Sequence, residues 1–134
     1  MIRKMIFFSW VILSVYGCKQ PAKSYQDVFN DPILYAKTVK ELNNVVKQNN
    51  FPPIIASRNY VYANIAAYEV MVKGDKRYES LAGHIKHLEP VPGYETKDVN
   101  FHYASLLAFC KVGQAVTFPE GSMKEYVASL DSMA

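Results

Sequence analysis

The residues of this chain that could support catalysis or metal binding are its histidines, cysteines and carboxylates. His84 and His87 are spaced so that they would share one face of a helix. No cysteine or carboxylate accompanies them in the pattern of a metal site, so we predict that they are not ligands, and that His102 is a structural or surface residue. The sequence contains no Ser-His-Asp order, no glycine-rich phosphate loop and no convincing pair of carboxylates. We therefore predict no complete catalytic, cofactor or metal site.

The two cysteines have different surroundings. Cys110 ends an apolar run that begins at Leu106, which predicts a buried and inert thiol rather than a nucleophile. Cys18 follows Gly17 directly, at the end of a short apolar stretch. If Cys18 is modified, Cys110 has no partner for an intramolecular disulfide, so packing must hold the domain together.

The first 17 residues have the pattern of an export signal. Arg3 and Lys4 supply positive charge, and an apolar stretch follows from Met5 to Tyr16. This stretch is shorter than the ~20 residues that a membrane-spanning helix needs, but its length suits the apolar part of a signal peptide. Gly17-Cys18 resembles the lipobox of bacterial lipoproteins, in which the cysteine is acylated and becomes the new N-terminus. Tyr16 departs from that pattern, since a small residue is usual there.

We therefore expect residues 1–17 to be a signal peptide, Cys18 to be a lipid anchor and residues 18–30 to be a tether. The protein would be exported and held by its lipid at the outer membrane or periplasmic side of a Gram-negative cell envelope. The alternatives are an ordinary signal peptide with a chance cysteine, or an uncleaved anchor. Without the signal, 13 basic residues face 12 acidic ones, and no basic stripe interleaved with aromatic residues indicates a nucleic-acid partner.

The remaining chain, residues 31–134, predicts an all-α domain of about four to five helices. The periodicity of apolar residues and the helix-capping residues predict the following elements: a helix from Pro32 to about Gln48, capped by Asp31; one from Pro53 to Lys73, stopped by Gly74; a short one near Tyr78–Leu88; one over Val99–Val116, capped by Asp98; and one whose capping box is Ser122 with Glu125.

The second of these helices carries two isolated charges. Arg58 and Glu69 are eleven residues apart, so they share a direction on the helix but lie too far apart along it to pair. Either each finds a partner elsewhere because the helix is buried, or both face water.

The last two predicted helices are unusually apolar. The helix that contains Leu106, Leu107 and Phe109 is apolar around most of its circumference, which is typical of a helix inside a larger body. The final helix has an apolar stripe from Met123 to Met133, and we expect this stripe to lack a covering neighbour. Because both helices would then lack covering neighbours, the domain, probed alone, would be poorly soluble or partly unfolded.

Two blocks of the sequence resemble a known family. They resemble bacterial vanadium-dependent haloperoxidase-like proteins of the type 2 phosphatidic acid phosphatase (PAP2) superfamily, including its lipoprotein members. The resemblance covers roughly residues 30–134. It is tightest over Pro52-Pro53, Ala56-Ser57-Arg58 and Ile65-Ala66-Ala67-Tyr68-Glu69, and again over Val99-Asn100-Phe101 and residues 112–123.

The resemblance implies a helical bundle whose active site holds phosphate or vanadate with a lysine, two arginines and histidines. Cationic groups of this kind stabilise the charge of a pentacoordinate oxyanion. The family motifs Lys-x6-Arg-Pro, Pro-Ser-Gly-His and Ser-Arg-x5-His-x3-Asp are not found in this chain. Ser57-Arg58 begins the third motif, but its histidine position holds Asn64 and its aspartate position holds Tyr68. No catalytic residue is therefore carried over.

We expect a non-catalytic helical segment of a membrane-anchored phosphatase-like or haloperoxidase-like lipoprotein. It would pack around a catalytic bundle encoded after Ala134, and phosphate or vanadate would bind only to that bundle. The alternative is a standalone envelope lipoprotein that binds a protein partner or scaffolds a complex, with the stripe of the last helix as its interface.

Overall fold

The described part of the chain contains five α-helices. The computed structural model describes residues 24–94, 98–117 and 121–134. The helices are α1 (Tyr25–Phe29), α2 (Pro32–Gln48), α3 (Pro53–Gly74), α4 (Phe101–Thr117) and α5 (Ser122–Asp131). An isolated bridge between Ala82 and Ile85 is the nearest approach to a strand in these ranges. The fold is all-α, as the sequence predicts.

The starts of α1 and α2 follow from local capping. Ser24 and Asp27 form a capping box at α1, with each side chain accepting a backbone N–H of the other residue. The carboxylate of Asp31 accepts the N–H of Ile33 at 2.9 Å, and Pro32 occupies the first turn of α2. The start of α2 is confirmed. The helical body nevertheless begins earlier than predicted, because α1 lies within the expected tether and buries Phe29.

Two predicted caps are wrong. At α4 the side chain of Asn100, rather than Asp98, accepts the N–H of Tyr103, at 3.0 Å. At α5 the cap position is taken by Gly121, and Ser122 is already helical, so Ser122 and Glu125 are not placed as a capping box. In both cases a neighbouring residue occupies the last position before the helix, a shift of one or two residues that is usual for helix ends.

The predicted short helix at Tyr78–Leu88 is also wrong. The described chain between α3 and α4 forms turns, with positive φ at Gly83 (83°) and His87 (65°). Left-handed backbone at these two positions is incompatible with a continuous right-handed helix. The segment is held instead by the side chain of Glu69, described below.

The core draws on all five helices. Its centre is formed by residues that are almost fully buried: Phe29 of α1; Leu42, Val45 and Val46 of α2; Ala63 and Ala67 of α3; Leu106, Phe109 and Cys110 of α4; Met123 and Leu130 of α5. Burial of this apolar surface is the main source of stability. The hydroxyl groups of Thr38 and Tyr126 lie 2.9 Å apart and join α2 to α5.

The burial of α5 corrects an expectation. Met123 and Leu130 are 1% and 0% exposed, so the apolar stripe of this helix is covered by the chain's own helices. The tyrosine hydroxyl of Tyr103 donates to Asp131 and fixes the end of α5 against α4, and this hydrogen bond raises the pKa of Tyr103 to about 12. The predicted uncovered stripe is wrong, which removes one of the two grounds for expecting partial unfolding.

The end of α3 lies against the start of α4 at Gly74. A Cβ atom placed on Gly74 would come within 2.5 Å of the Phe101 ring and 3.0 Å of the Phe101 Cβ. The clash involves atoms close to the Phe101 backbone, so a rotation of the ring cannot relieve it. The absence of a side chain at residue 74 therefore allows these two helices to approach each other.

Gly74→Ala is expected to lower the free energy of unfolding by about 1–3 kcal/mol, because α4 must shift to accommodate the added methyl group. Urea denaturation followed by circular dichroism measures the change. Gly93→Ala is the matched control, since a Cβ at residue 93 meets nothing within 4 Å. Equal stability of the two variants would contradict the close approach.

Candidate functional site

The lipidation residue lies outside the structural description. Cys18 falls in residues 1–23, which the structure does not describe, so the predicted anchor stays a prediction. The described chain begins at Ser24, which caps α1. Among the described residues, no helix is both long and apolar enough to cross a membrane.

The three histidines do not form a site in the described residues. His84 and His87 are exposed in the segment after α3, where their predicted helical face does not exist. His102 is exposed in the first turn of α4. No group of three or more His, Cys, Asp or Glu side chains in residues 24–94, 98–117 and 121–134 is arranged to hold a metal ion.

Cys110 is the free cysteine of the core. It is fully buried in α4, and burial raises the pKa of its thiol to about 12. A thiol that stays protonated and inaccessible is a poor nucleophile. The prediction of a buried, inert thiol is confirmed.

The two charged residues singled out in α3 differ in their exposure to solvent. Arg58 is exposed to solvent, whereas Glu69 is only 2% exposed. The two alternatives that the sequence left open are therefore each correct for one residue. A buried carboxylate requires hydrogen-bond donors, and these come from the segment that follows α3.

Glu69 fixes that segment to the helix. One carboxylate oxygen accepts the hydroxyl of Ser80 at 2.6 Å, and the other accepts the N–H of Leu81 at 2.7 Å. The Ser80 hydroxyl in turn accepts the N–H of Ala82 at 3.1 Å, and Tyr68 donates to the carbonyl of Glu79 at 2.9 Å. Both oxygens of Glu69 are engaged, so its arrangement is that of a structural clamp. We call these residues, Tyr68, Glu69 and 79–82, the Glu69 clamp.

A cleft of about 540 Å³ opens where α2 begins and meets α3 and α4. Ala67 and Leu106 lie at its base, and Tyr35, Met71 and His102 are among the residues around it. The volume falls in the range of small-molecule pockets and the lining is mostly apolar. The cleft could accept an apolar group, but it contains no arrangement of cations that would hold an oxyanion.

A hydrogen-bonded pair crosses this cleft. Tyr35 donates its hydroxyl to the side-chain oxygen of Asn64 at 2.8 Å, and the Asn64 amide donates to the carbonyl of Tyr60 at 2.8 Å. Burial raises the pKa of Tyr35. Asn64 is the residue at the histidine position of the resembled motif, and here it has a structural role between α2 and α3.

A neighbouring side of α3 presents apolar side chains around the exposed Arg58. Ile54, Val61 and Tyr62 are 78%, 53% and 47% exposed. A shallow depression of about 410 Å³ continues this surface beside the middle of α3, where Val61, Ile65 and Tyr68 line it together with Leu81 of the following segment. We call these residues, Ile54, Val61, Tyr62, Ile65 and Leu81, the α3 face. Four of its five residues lie between Pro52 and Glu69, the limits of the first block of the resemblance.

Comparison with family models, curated proteins and solved structures gave no match to the chain. The resemblance described above consequently stands on the quoted residues alone.

The sequence missed the partners of the site residues. Ser80 carried no signal in a stretch interpreted as helix, and Tyr35 and Asn64 are 29 residues apart in the chain. One signal was available: a lone carboxylate in an otherwise apolar helix requires donors from elsewhere, and the adjoining segment with Ser80 is the nearest source.

Proposed function

We propose that this chain is the non-catalytic helical segment of a lipid-anchored protein of the phosphatidic acid phosphatase and vanadium haloperoxidase-like class. Its role is to pack against a helical catalytic bundle that holds the phosphate or vanadate. Cys18 carries the lipid anchor at the cell envelope.

The observation that carries the proposal is the α3 face. Isolated exposed apolar side chains are common, but several aligned along one side of one helix favour a covering partner. Ile54, Val61 and Tyr62 form such a row, with the exposed Arg58 among them. A helical bundle suits this surface because ridges of side chains on one helix fit the grooves of another.

The composition of the 540 Å³ cleft supports the non-catalytic part of the proposal. The 540 Å³ cleft has a mostly apolar surface and no lysine or arginine in its lining; its polar members are Asn30, Asp31, Asn64 and His102, besides serine and tyrosine hydroxyls. Phosphoryl transfer requires several converging cations to stabilise the developing charge. The purified chain is therefore expected not to hydrolyse p-nitrophenyl phosphate, and vanadate-sensitive turnover by it would contradict this part of the proposal.

Site-specific photocrosslinking tests the packing partner. A photoreactive amino acid in place of Val61, in the protein expressed in its native envelope, is expected to crosslink to a peptide from the bundle that carries Pro-Ser-Gly-His. Mass spectrometry of the crosslinked peptides identifies this peptide whether the bundle continues the same polypeptide or belongs to another. The matched control places the same group at Lys47, an exposed residue of α2 outside the α3 face. Crosslinks from residue 61 only to a second copy of this chain, or none above the Lys47 control, would contradict the proposal.

A second candidate function is a standalone envelope lipoprotein that binds a protein partner. The burial of Met123 and Leu130 favours it, because a core closed by all five helices requires no further bundle for stability. In the same crosslinking experiment, a residue 61 partner that lacks the three phosphatase motifs would support this candidate over the first.

The anchor has its own test. Cys18→Ala is expected to abolish incorporation of labelled palmitate and to release the protein from the membrane fraction, because no acyl chain then holds it. Cys110→Ala is the matched control, and it should keep the label since the Cys110 thiol is buried. Equal labelling of wild type and Cys18→Ala would exclude Cys18 as the acylated residue.

A further inference from the structure

Exposed tyrosines gather at one end of the helical body. Tyr25, Tyr78 and Tyr94 are 39%, 54% and 55% exposed. Tyr25 and Tyr78 line one open cleft of about 830 Å³ together with Phe101, and the ring of Tyr94 packs edge-on against Phe101 with centroids 5.3 Å apart. We call Tyr25, Tyr78, Tyr94 and Phe101 the aromatic rim. Three separate chain segments contribute to it.

The rim combines aromatic rings with nearly balanced charge. The guanidinium of Arg77 lies 5.7 Å from the centroid of the Tyr78 ring, with its side chain 80% exposed, and pairs with Asp75 at 2.5 Å. The exposed side chains of Lys76 and Asp98 add one charge of each sign nearby. Because these charges nearly cancel, the surface has no strong electrostatic field that would attract an acidic or basic partner. Its exposed rings are amphipathic, with an apolar body and a polar hydroxyl tip.

The rim also includes the described residue nearest to the anchor along the chain, apart from Ser24. Cys18 precedes Ser24 by six residues, and an extended chain covers at most about 3.6 Å per residue, so these residues span no more than about 22 Å. Tyr25, the next residue, belongs to the rim. The first turn of α3, at Ile54, lies about 30 Å from Gly74 and the rim, because α3 has 22 residues and rises about 1.5 Å for each.

We propose that the aromatic rim lies against the bilayer surface, with Tyr25, Tyr78 and Tyr94 inserted among the lipid headgroups. In this orientation the α3 face is directed parallel to the membrane surface and does not contact the lipid. The inference rests on the lipid anchor of the proposed function. Tyrosine favours the membrane interface, where its ring contacts apolar groups and its hydroxyl stays hydrated. The balanced charge of the rim suits zwitterionic phospholipids.

Single tryptophans provide the test. Trp10 is the sole tryptophan of the sequence and precedes Cys18, so the lipidated mature chain contains none. Tyr78→Trp and Tyr94→Trp place a probe in the rim, and Tyr62→Trp places the matched control on the α3 face, where the native tyrosine is similarly exposed at 47%. Each lipidated variant is reconstituted in phosphatidylcholine vesicles that contain brominated phosphatidylcholine, and circular dichroism checks its helix content.

The expected result is that the two rim tryptophans lose most of their emission to the brominated lipid and resist acrylamide. The Tyr62→Trp emission should stay unaffected by the lipid and accessible to acrylamide. Equal lipid quenching at residues 62, 78 and 94, or quenching at residue 62 alone, would overturn the orientation.

Flotation of the same vesicles separates this inference from the anchor. Protein that floats, but whose rim tryptophans remain open to acrylamide, would leave the anchor intact and overturn the rim contact. Protein that does not float would overturn both. A change at only one of residues 78 and 94 would overturn the proposed orientation, since both rings must reach the headgroups.

Discussion

Phe109→Ala is expected to lower the free energy of unfolding by about 3–5 kcal/mol, the largest stability effect among the substitutions considered. Phe109 is 0% exposed and belongs to the cluster that joins all five helices. Its ring also meets that of Tyr35 edge-on, with centroids 5.8 Å apart. Alanine would remove both the buried apolar surface and this aromatic contact, and the well-packed neighbours could not fill the resulting cavity.

Urea denaturation monitored by circular dichroism measures the change in the midpoint and slope. Ile54→Ala is the control, because Ile54 is 78% exposed and its truncation should change stability by less than about 0.5 kcal/mol. If Phe109→Ala unfolded at the same urea concentration as the control, the described core could not be the one that holds the helices together.

Glu69→Ala is expected to lower the free energy of unfolding by about 2–3 kcal/mol, since two partly buried donors then lose their acceptor. The N–H of Leu81 would be left without its 2.7 Å hydrogen bond, and the Ser80 hydroxyl would lose its own. Glu69→Gln should cost less, because the amide oxygen can still accept one of the two donors.

Amide hydrogen exchange at Leu81, together with the denaturation midpoint, shows whether Glu69→Ala loosens the segment after α3 as well as lowering the stability of the whole domain. Faster exchange at Leu81 is expected, because the segment after α3 loses its attachment to the helix. Glu79→Ala is the matched control: its side chain is exposed, and only its carbonyl takes part in the clamp. Unchanged exchange at Leu81 in Glu69→Ala would show that the clamp does not hold the segment.

Elements set by local chemistry could be predicted from the sequence. Asp31 and Pro32 fix the start of α2 through a side chain that reaches only two residues ahead, and Gly74 ends α3 as expected. The all-α fold follows from such signals and from the spacing of apolar residues. The identity of Cys110 as a buried thiol likewise follows from the apolar run around it.

Elements set by distant contacts could not be predicted in the same way. Helical spacing over Tyr78–Leu88 gave no sign that Glu69, earlier in the chain, would hold Ser80 and Leu81 in a turn. The apolar stripe of α5 was visible, but its cover by α2 and α4 depends on tertiary packing. The aromatic rim joins three chain segments and becomes recognisable only after they have folded together.

The Glu69 clamp ends at Ala82, and the chain from Gly83 to Pro90 runs mostly in solvent with little attachment to the helices. Nothing lies within 4 Å of a Cβ built on Gly83, although its positive φ favours glycine there. A short epitope or fluorescent peptide grafted between Lys86 and Glu89 would therefore leave the five-helix packing undisturbed. This stretch is therefore a suitable insertion site for tagging the protein in living cells.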